Sequence, residues 1–368
     1  MSDWYRITNE AEVASPALLL YPDRIQENLR RMVVQAGGTA RLRPHVKTHK
    51  LPQVLALELA HGITKFKAAT LAECEVCALG GAPDVLLAYQ PVGPNQNRLI
   101  DLIRKYPKTL FSSLVDNLGT VQELGQLAKK SNLELALYLD LNVGMNRTGI
   151  IPGDDAFTVY QALESTPGIK AAGLHAYDGH LHDANHSALL AAARAAFVPV
   201  WALRDRLGAA GMKVPKIIAS GTPTFPLLAQ FPNIEVGCGT TVLWDFGQAE
   251  SCPELDYLVS AILIMRVVSR PTASRLCLDL GHKAVASEMP HPRVRIFGLE
   301  DAQVAMHSEE HLVLETPKAP EYQPGDVLYG IPRHVCPTVA LYSEVWSVKN
   351  RRATELWEVT GRRRRITV

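Results

Sequence analysis

The sequence has no excess of either charge: 38 lysines and arginines stand against 37 aspartates and glutamates, a formal net charge of +1. That balance excludes the global field that recruits nucleic acid or an anionic membrane, so neither is expected as a partner. Cysteine is scarce too. Six residues, at 74, 77, 238, 252, 277 and 336 of a 368-residue chain, are too few for a disulfide framework. The first 30 residues show no basic segment followed by an apolar core, and no run reads as membrane-spanning, so a cytoplasmic protein is expected. The one dense charge run, "RRRR" at 362–365, reads as a solvated tail. Cys74 and Cys77 form a CxxC inside "TLAECEVCALGG", a helical pattern without a second pair, which favours packing over zinc or redox chemistry.

What is present describes an ordinary globular chain, 47% hydrophobic and 20% charged with a mean hydropathy of +0.01. Its length suits about two domains at roughly 150 residues each. From residue 41 to about 240 one cycle repeats: a short apolar or β-branched run, a turn, then a longer helical pattern. Eight such runs are "ARLRPHV", "TKFKAAT", "DVLLAY", "TLFSSLV", "LELALYLDL", "IKAAGLHAY", "VPKIIAS" and "NIEVGCG". Strand alternating with helix eight times predicts a parallel (β/α)8 TIM-type barrel over 26–248. After about residue 250 dense strand patterns follow, from "YLVSAILIMRVVS" to "TELWEVTG", and predict an antiparallel β domain over 249–368. Residues 1–25 contain the strand-like "SPALLLY", expected to join that β domain.

Barrels of this type place active groups at the C-terminal ends of their strands. Those ends carry polar or glycine-rich segments. The first run continues as "RLRPHVKTHK", whose alternation puts Arg41, Arg43, His45, Lys47 and His49 on one stripe of an extended segment. "SGTPT" offers Ser220, Gly221 and Thr222 ahead of a helical segment, where backbone N–H groups favour an anion, and "VGCGTT" repeats the offer with Gly239 and Thr240. A phosphate cup opposite a lysine suggests pyridoxal phosphate held on Lys47 as a Schiff base. Spacing alone leaves open that Lys47 is a surface residue and that Arg43 or Lys50 pairs with a carboxylate. His334 and Cys336 in "PRHVCPTV" lie two apart; on a strand they share a face, and imidazole with thiolate suits zinc.

The lysine closing the first run, "GMNRTG" at 144–149, "GLHAY" at 173–177 and a β domain after the barrel together resemble the alanine-racemase-like fold type III enzymes of pyridoxal phosphate. "RPHVKTHK", "SGTPT" and "PRHVCPTV" are similar, more closely, to the D-serine dehydratase and D-threonine aldolase family. The resemblance runs over nearly the whole chain. It implies Lys47 as the cofactor lysine, His175 against the cofactor ring, Arg147 near its phenolic oxygen, Tyr177 as a further contact, and Ser220, Gly221, Thr222, Gly239 and Thr240 around its phosphate. It also implies a divalent metal on His334 and Cys336, zinc first and manganese second, and a head-to-tail homodimer in which the metal pair serves either its own chain or its neighbour's.

The activity so implied is that of a lyase on a small D-β-hydroxy amino acid. The family's aldolases carry an aspartate where this chain has Cys336, whereas its dehydratases resemble the H-x-C here, which favours a D-serine dehydratase-type elimination to a 2-oxo acid and ammonia. Cleavage of Cα–Cβ to glycine and an aldehyde, as in a D-threonine aldolase, uses the same parts. A hydroxyaspartate substrate remains open in either chemistry, and a non-catalytic carrier of pyridoxal phosphate is the reading from another class.

Overall fold

The computed structural model describes residues 3–183 and 185–368, in two compact units. One, the sheet unit, comprises the chain up to Leu29, Thr48–Gln53 and Thr240–Thr360; the other, the barrel unit, comprises Arg30–Lys47, Val54–Gly239 and Gly361–Val368. The first strand, β1 (Ala17–Leu20), belongs to the sheet unit.

The barrel unit holds seven parallel strands in chain order: β2 (Lys65–Ala68), β3 (Asp84–Leu87), β4 (Leu110–Val115), β5 (Leu135–Leu141), β6 (Ile169–Ala176), β7 (Ile217–Ala219) and β8 (Ile234–Val236). Helices between them present apolar stripes inward; Asp154–Ser165, for example, buries Ala156, Val159, Tyr160 and Leu163. Leu86, Leu114, Tyr138 and Ile218 cluster among the strands.

The expected eighth strand takes a different form. Residues 41–45 make only isolated parallel bridges, Leu42 with Val236 and His45 with Lys67. Arg43 and His45 donate their N–H groups to Val236 and Cys238 at 3.0 Å, while Pro44 accepts from the Lys67 N–H at 2.8 Å. Alternate residues of a parallel strand bond to opposite neighbours. Pro44 faces β2 without an N–H to give, so one side of the ladder is lost and the segment closes the ring without becoming a regular strand.

The sheet unit continues with β9 (Ala261–Thr272), β10 (Arg275–Leu278), β11 (Val294–Ile296), β12 (Gln303–His307), β13 (Leu312–Glu315), β14 (Val327–Pro332), β15 (Glu344–Lys349) and β16 (Arg352–Glu358). They run in the order β12-β13-β10-β9-β1-β15-β16, with β14 pairing both β9 and β11. All pairs are antiparallel except β1 with β15. Leu18, Leu19 and Leu20 of β1 are fully buried, the unbroken apolar run of a strand covered on both faces. Leu19 packs with Ile7, Val13, Ile262, Ile264 and Tyr329.

Two expectations change. The helix His186–Ala209 is, by length and composition, long and apolar enough to cross a membrane, although no such run was read in the sequence. Its buried residues, Leu189, Ala193, Phe197, Val200, Leu203 and Leu207, follow the stripe of a packed helix, and it also carries Arg194, Arg204, Asp205 and Arg206. The "RRRR" segment is tethered rather than free: Arg98 donates to the carbonyls of Arg364 at 3.0 Å and Val368 at 2.9 Å, and the Thr367 N–H donates to Glu75 at 2.9 Å.

Candidate active site

The cationic stripe of residues 41–49 divides into separate jobs. Arg43 is fully buried and forks onto Asp84 at 2.7 and 2.8 Å while its Nε donates to Glu235 at 2.7 Å. Burial opposes its charge, but two carboxylates outweigh burial and raise its pKa further. Glu235 also receives Lys65 at 2.6 Å. Burial pushes the Glu235 carboxyl up, and Arg43 and Lys65 more than reverse that, so it sits below its ordinary range. Arg43 is therefore a structural cation. Lys47 lies beyond the strand-like segment, half-buried in a 3-10 turn, Val46–Thr48, so it does not continue the strand face that alternation implied. Its N–H approaches His45 Nδ1 at 3.4 Å.

At adjacent positions of β5 and β6, Asp140 and His175 are register partners. Asp140 Oδ1 accepts from His175 Nδ1 at 2.6 Å, and Lys67 of β2 reaches His175 Nε2 at 3.0 Å. All three are buried. Burial, then Lys67, keeps the His175 pKa below its usual value. Burial raises that of Asp140, but His175 outweighs it, and the net shift is downward. Both edge nitrogens of His175 are thus engaged, which leaves the ring face as the surface for a planar group. Tyr177 lies just beyond β6, with the Arg147 guanidinium 5.1 Å and Lys67 Nζ 5.6 Å from its ring centroid. The loop carrying Arg147 is folded by Asn142, whose Oδ1 accepts from the N–H groups of Gly144 and Asn146 at 3.0 Å each. Gly149 ends it at φ +91°, where a Cβ would lie 2.7 Å from the Asn142 nitrogen, so the loop needs glycine there.

The phosphate-binding expectation is modified in detail. The helix after "SGTPT" is a single turn, Phe225–Leu228, so its dipole contributes little. The Gly221 N–H is already donated to Asp178 Oδ1 at 2.7 Å. The Ser220 hydroxyl, in contrast, is buried at φ +72° with no hydrogen-bond partner among the described residues. Thr222 Oγ1 lies 3.4 Å from the Gly239 nitrogen. A buried hydroxyl without a partner costs free energy unless a ligand satisfies it. Ser220 is therefore the observation that fits these residues to a phosphate-bearing cofactor. Thr240 belongs to the sheet unit, where it opens a 3-10 turn, Thr240–Val242.

In the sheet unit His334 and Cys336 do not share a strand. Strand β14 ends at Pro332; His334 is the N-cap of the helix Val335–Leu341, and Cys336 lies in its first turn. Proline suits a first turn, and Pro337 falls there. Asp245 accepts from the Val335 N–H at 2.8 Å and from the Gln248 N–H at 2.8 Å, so one buried carboxylate caps two helices. Burial pushes the Asp245 carboxyl up to about 6. His334 Nδ1 meets Glu288 at 2.5 Å. Burial works against protonating His334, but contact with Cys336, then Asp245 and Glu288, outweighs it and pushes the pKa up to about 9. Cys336 Sγ lies 3.2 Å from the hydroxyl of Thr48, the residue after Lys47, and 3.7 Å from that of Thr240. Among the described residues no group of three histidine, cysteine or acidic side chains is arranged to hold a metal. The donor pair fits a zinc-like ion in kind, with its remaining positions left to other ligands.

The model of the alanine racemase N-terminal domain matches residues 21–242, and that of the putative serine dehydratase domain matches 260–348. The chain belongs to the alanine-racemase-like family of fold type III pyridoxal phosphate proteins. A D-threonine aldolase of Arthrobacter sp. is 28% identical over 96% of this chain and 93% of its own. A D-threo-3-hydroxyaspartate dehydratase of Delftia sp. is 26% identical over 63% of this chain and 61% of its own. The crystal structure of D-threonine aldolase from Filomicrobium marinum superposes with a TM-score of 0.87 at 25% identity, covering 96% of both chains.

Within this family fold, Lys67, Asp140 and Asp178 were missed in the sequence. A signal existed for Asp140, a lone carboxylate in the apolar run "LELALYLDL". Lys67 was masked by Lys65, two residues earlier in "TKFKAAT", which makes the strand look solvated. Cys74 and Cys77 are both buried, and burial raises the pKa of each thiol, as suits packing residues.

Proposed function

We propose that this protein is a pyridoxal phosphate-dependent lyase of small D-β-hydroxy amino acids that carries its cofactor on Lys47. The observation that carries the reading is the barrel constellation: a half-buried Lys47 after the closing segment, a buried His175 with both ring nitrogens engaged and its ring face left, Arg147 beside Tyr177, and a buried Ser220 hydroxyl without a partner among the described residues. The bound cofactor would supply an electron sink conjugated to the substrate's amino nitrogen, which stabilises negative charge at Cα. Ser220 and Thr222 would hold its phosphate, and Arg147 would favour an anionic phenolic oxygen. Lys47, once free of the cofactor, is the group that takes the Cα proton.

His334 and Cys336 would hold a divalent metal, whose chemistry there is Lewis-acid polarisation of the substrate's β-hydroxyl. With the hydroxyl as leaving group, the products are a 2-oxo acid and ammonia, the reading favoured by the His-x-Cys pair inside the serine dehydratase domain match. The second reading is Cα–Cβ cleavage to glycine and an aldehyde. It is supported by the likeness to D-threonine aldolase over 96% of the chain.

Product analysis with D-serine and D-threonine, with and without chelator, separates the two. Pyruvate or 2-oxobutyrate with ammonia, lost on chelation, is the expected result. Glycine and acetaldehyde from D-threonine without oxo acid would replace elimination by aldol cleavage. Turnover of neither, with no cofactor bound, would overturn both.

A further inference from the structure

Lys67, on β2 with Lys65, is a buried lysine of the barrel unit with no role in the chemistry above. Its side chain is buried, and among the described residues no carboxylate lies within ion-pair distance of it. Its polar neighbour is His175 Nε2 at 3.0 Å. The space it occupies is kept open by glycine: a Cβ on Gly237, just after β8, would come within 2.9 Å of Lys67 Cδ and Nζ. A buried amine without a counter-ion is costly. Housing one beside the imidazole that faces the cofactor needs a reason.

The chain Asp140–His175–Lys67 has a direction. A carboxylate only accepts, so the 2.6 Å contact requires a proton on His175 Nδ1. Nε2 can then be an acceptor, and a lysine donates whether it is an ammonium or an amine. We propose that Lys67 is a positioning residue that fixes His175 as a neutral imidazole protonated on Nδ1, with its ring face held in one orientation. The use of this arrangement rests on the pyridoxal phosphate reading: a neutral ring stacks on an electron-poor pyridine without the repulsion an imidazolium would bring.

The surrounding charges agree. Burial, then Lys47 and, less strongly, Arg43, pushes the Lys67 pKa down to about 7 against the pull of Asp140 and Asp178. On His175, burial, Lys67 and Arg147 act downward against Asp140. Lys67 is thus the nearest charge that stops Asp140 from drawing a second proton onto the imidazole.

The test is 15N NMR of the histidine-labelled protein, with and without added pyridoxal phosphate, the His175 signals being assigned by their loss in His175→Gln. Wild type should show Nδ1 protonated and Nε2 unprotonated, unchanged between about pH 6 and 8. Lys67→Met, which removes the donor, should let His175 titrate in that window, its midpoint rising by about one pH unit or more. Lys67→Gln, which keeps an N–H donor toward Nε2 without the charge, should keep the Nδ1–H tautomer and titrate with a midpoint below that of Lys67→Met. A wild-type His175 that is doubly protonated or carries its proton on Nε2 overturns the proposal even if neither variant folds. So does a Lys67→Met spectrum identical to wild type. Failure of the cofactor reading shows separately, as absence of a cofactor chromophore in wild type with the tautomer intact.

Discussion

Two cations lie inside the same barrel under opposite rules. Arg43 is fully buried with Asp84 and Glu235 bonded at 2.7–2.8 Å, and its charge is reinforced. Lys67 is also buried, meets the His175 imidazole at 3.0 Å with no carboxylate in ion-pair distance among the described residues, and is pushed down to about 7. Burial is common to both, so the partners decide. A cation with its counter-ions supplied holds strands together. A cation denied them is held ready to lose a proton, the usual mark of a working site.

The contrast breaks first at activity. Lys47→Ala should lower turnover by about 10³-fold or more, measured by steady-state kinetics, because under the proposed function it removes both the cofactor's attachment and the Cα base. Lys67→Met should leave measurable turnover. Arg43→Met should lower unfolding free energy by about 3 kcal/mol in urea titration, since half-buried Asp84 loses the guanidinium forked onto it while buried Glu235 is left with lysine partners alone.

Next comes pH. The folded Lys67 pKa of about 7 lies below the unfolded value near 10.4, so above pH 7 the unfolded chain holds the extra proton. Wild type should therefore gain stability over Lys67→Met as pH rises from about 7 to 9, by at most about 1.4 kcal/mol per pH unit, and the difference should level off below pH 7. Denaturation midpoints of the two proteins across that range measure it. Smallest is the exposed tail: Arg364→Ala keeps the backbone carbonyl that Arg98 holds, and its thermal midpoint should move by less than about 0.5 kcal/mol equivalent.

Fold class was legible because the strand-helix cycle depends on apolar periodicity, which survives in one dimension. The closing segment was not a regular strand because of one residue, Pro44, whose missing N–H a pattern of alternation does not register. His334 and Cys336 were read as strand neighbours for the same reason. The helix start at Val335 depends on Asp245, a cap supplied from ninety residues away. The roles of Arg43 and Lys67 lay beyond the sequence altogether. Both read as cations in alternating segments, and only the placement of Asp84, Glu235 and His175 tells them apart.

The measurement that bears most directly on the central claim is borohydride trapping. Protein loaded with pyridoxal phosphate is reduced, digested and mapped by mass spectrometry. A pyridoxyl label on Lys47 alone is expected. A label on Lys67, or none on either lysine, would contradict the division of labour between them.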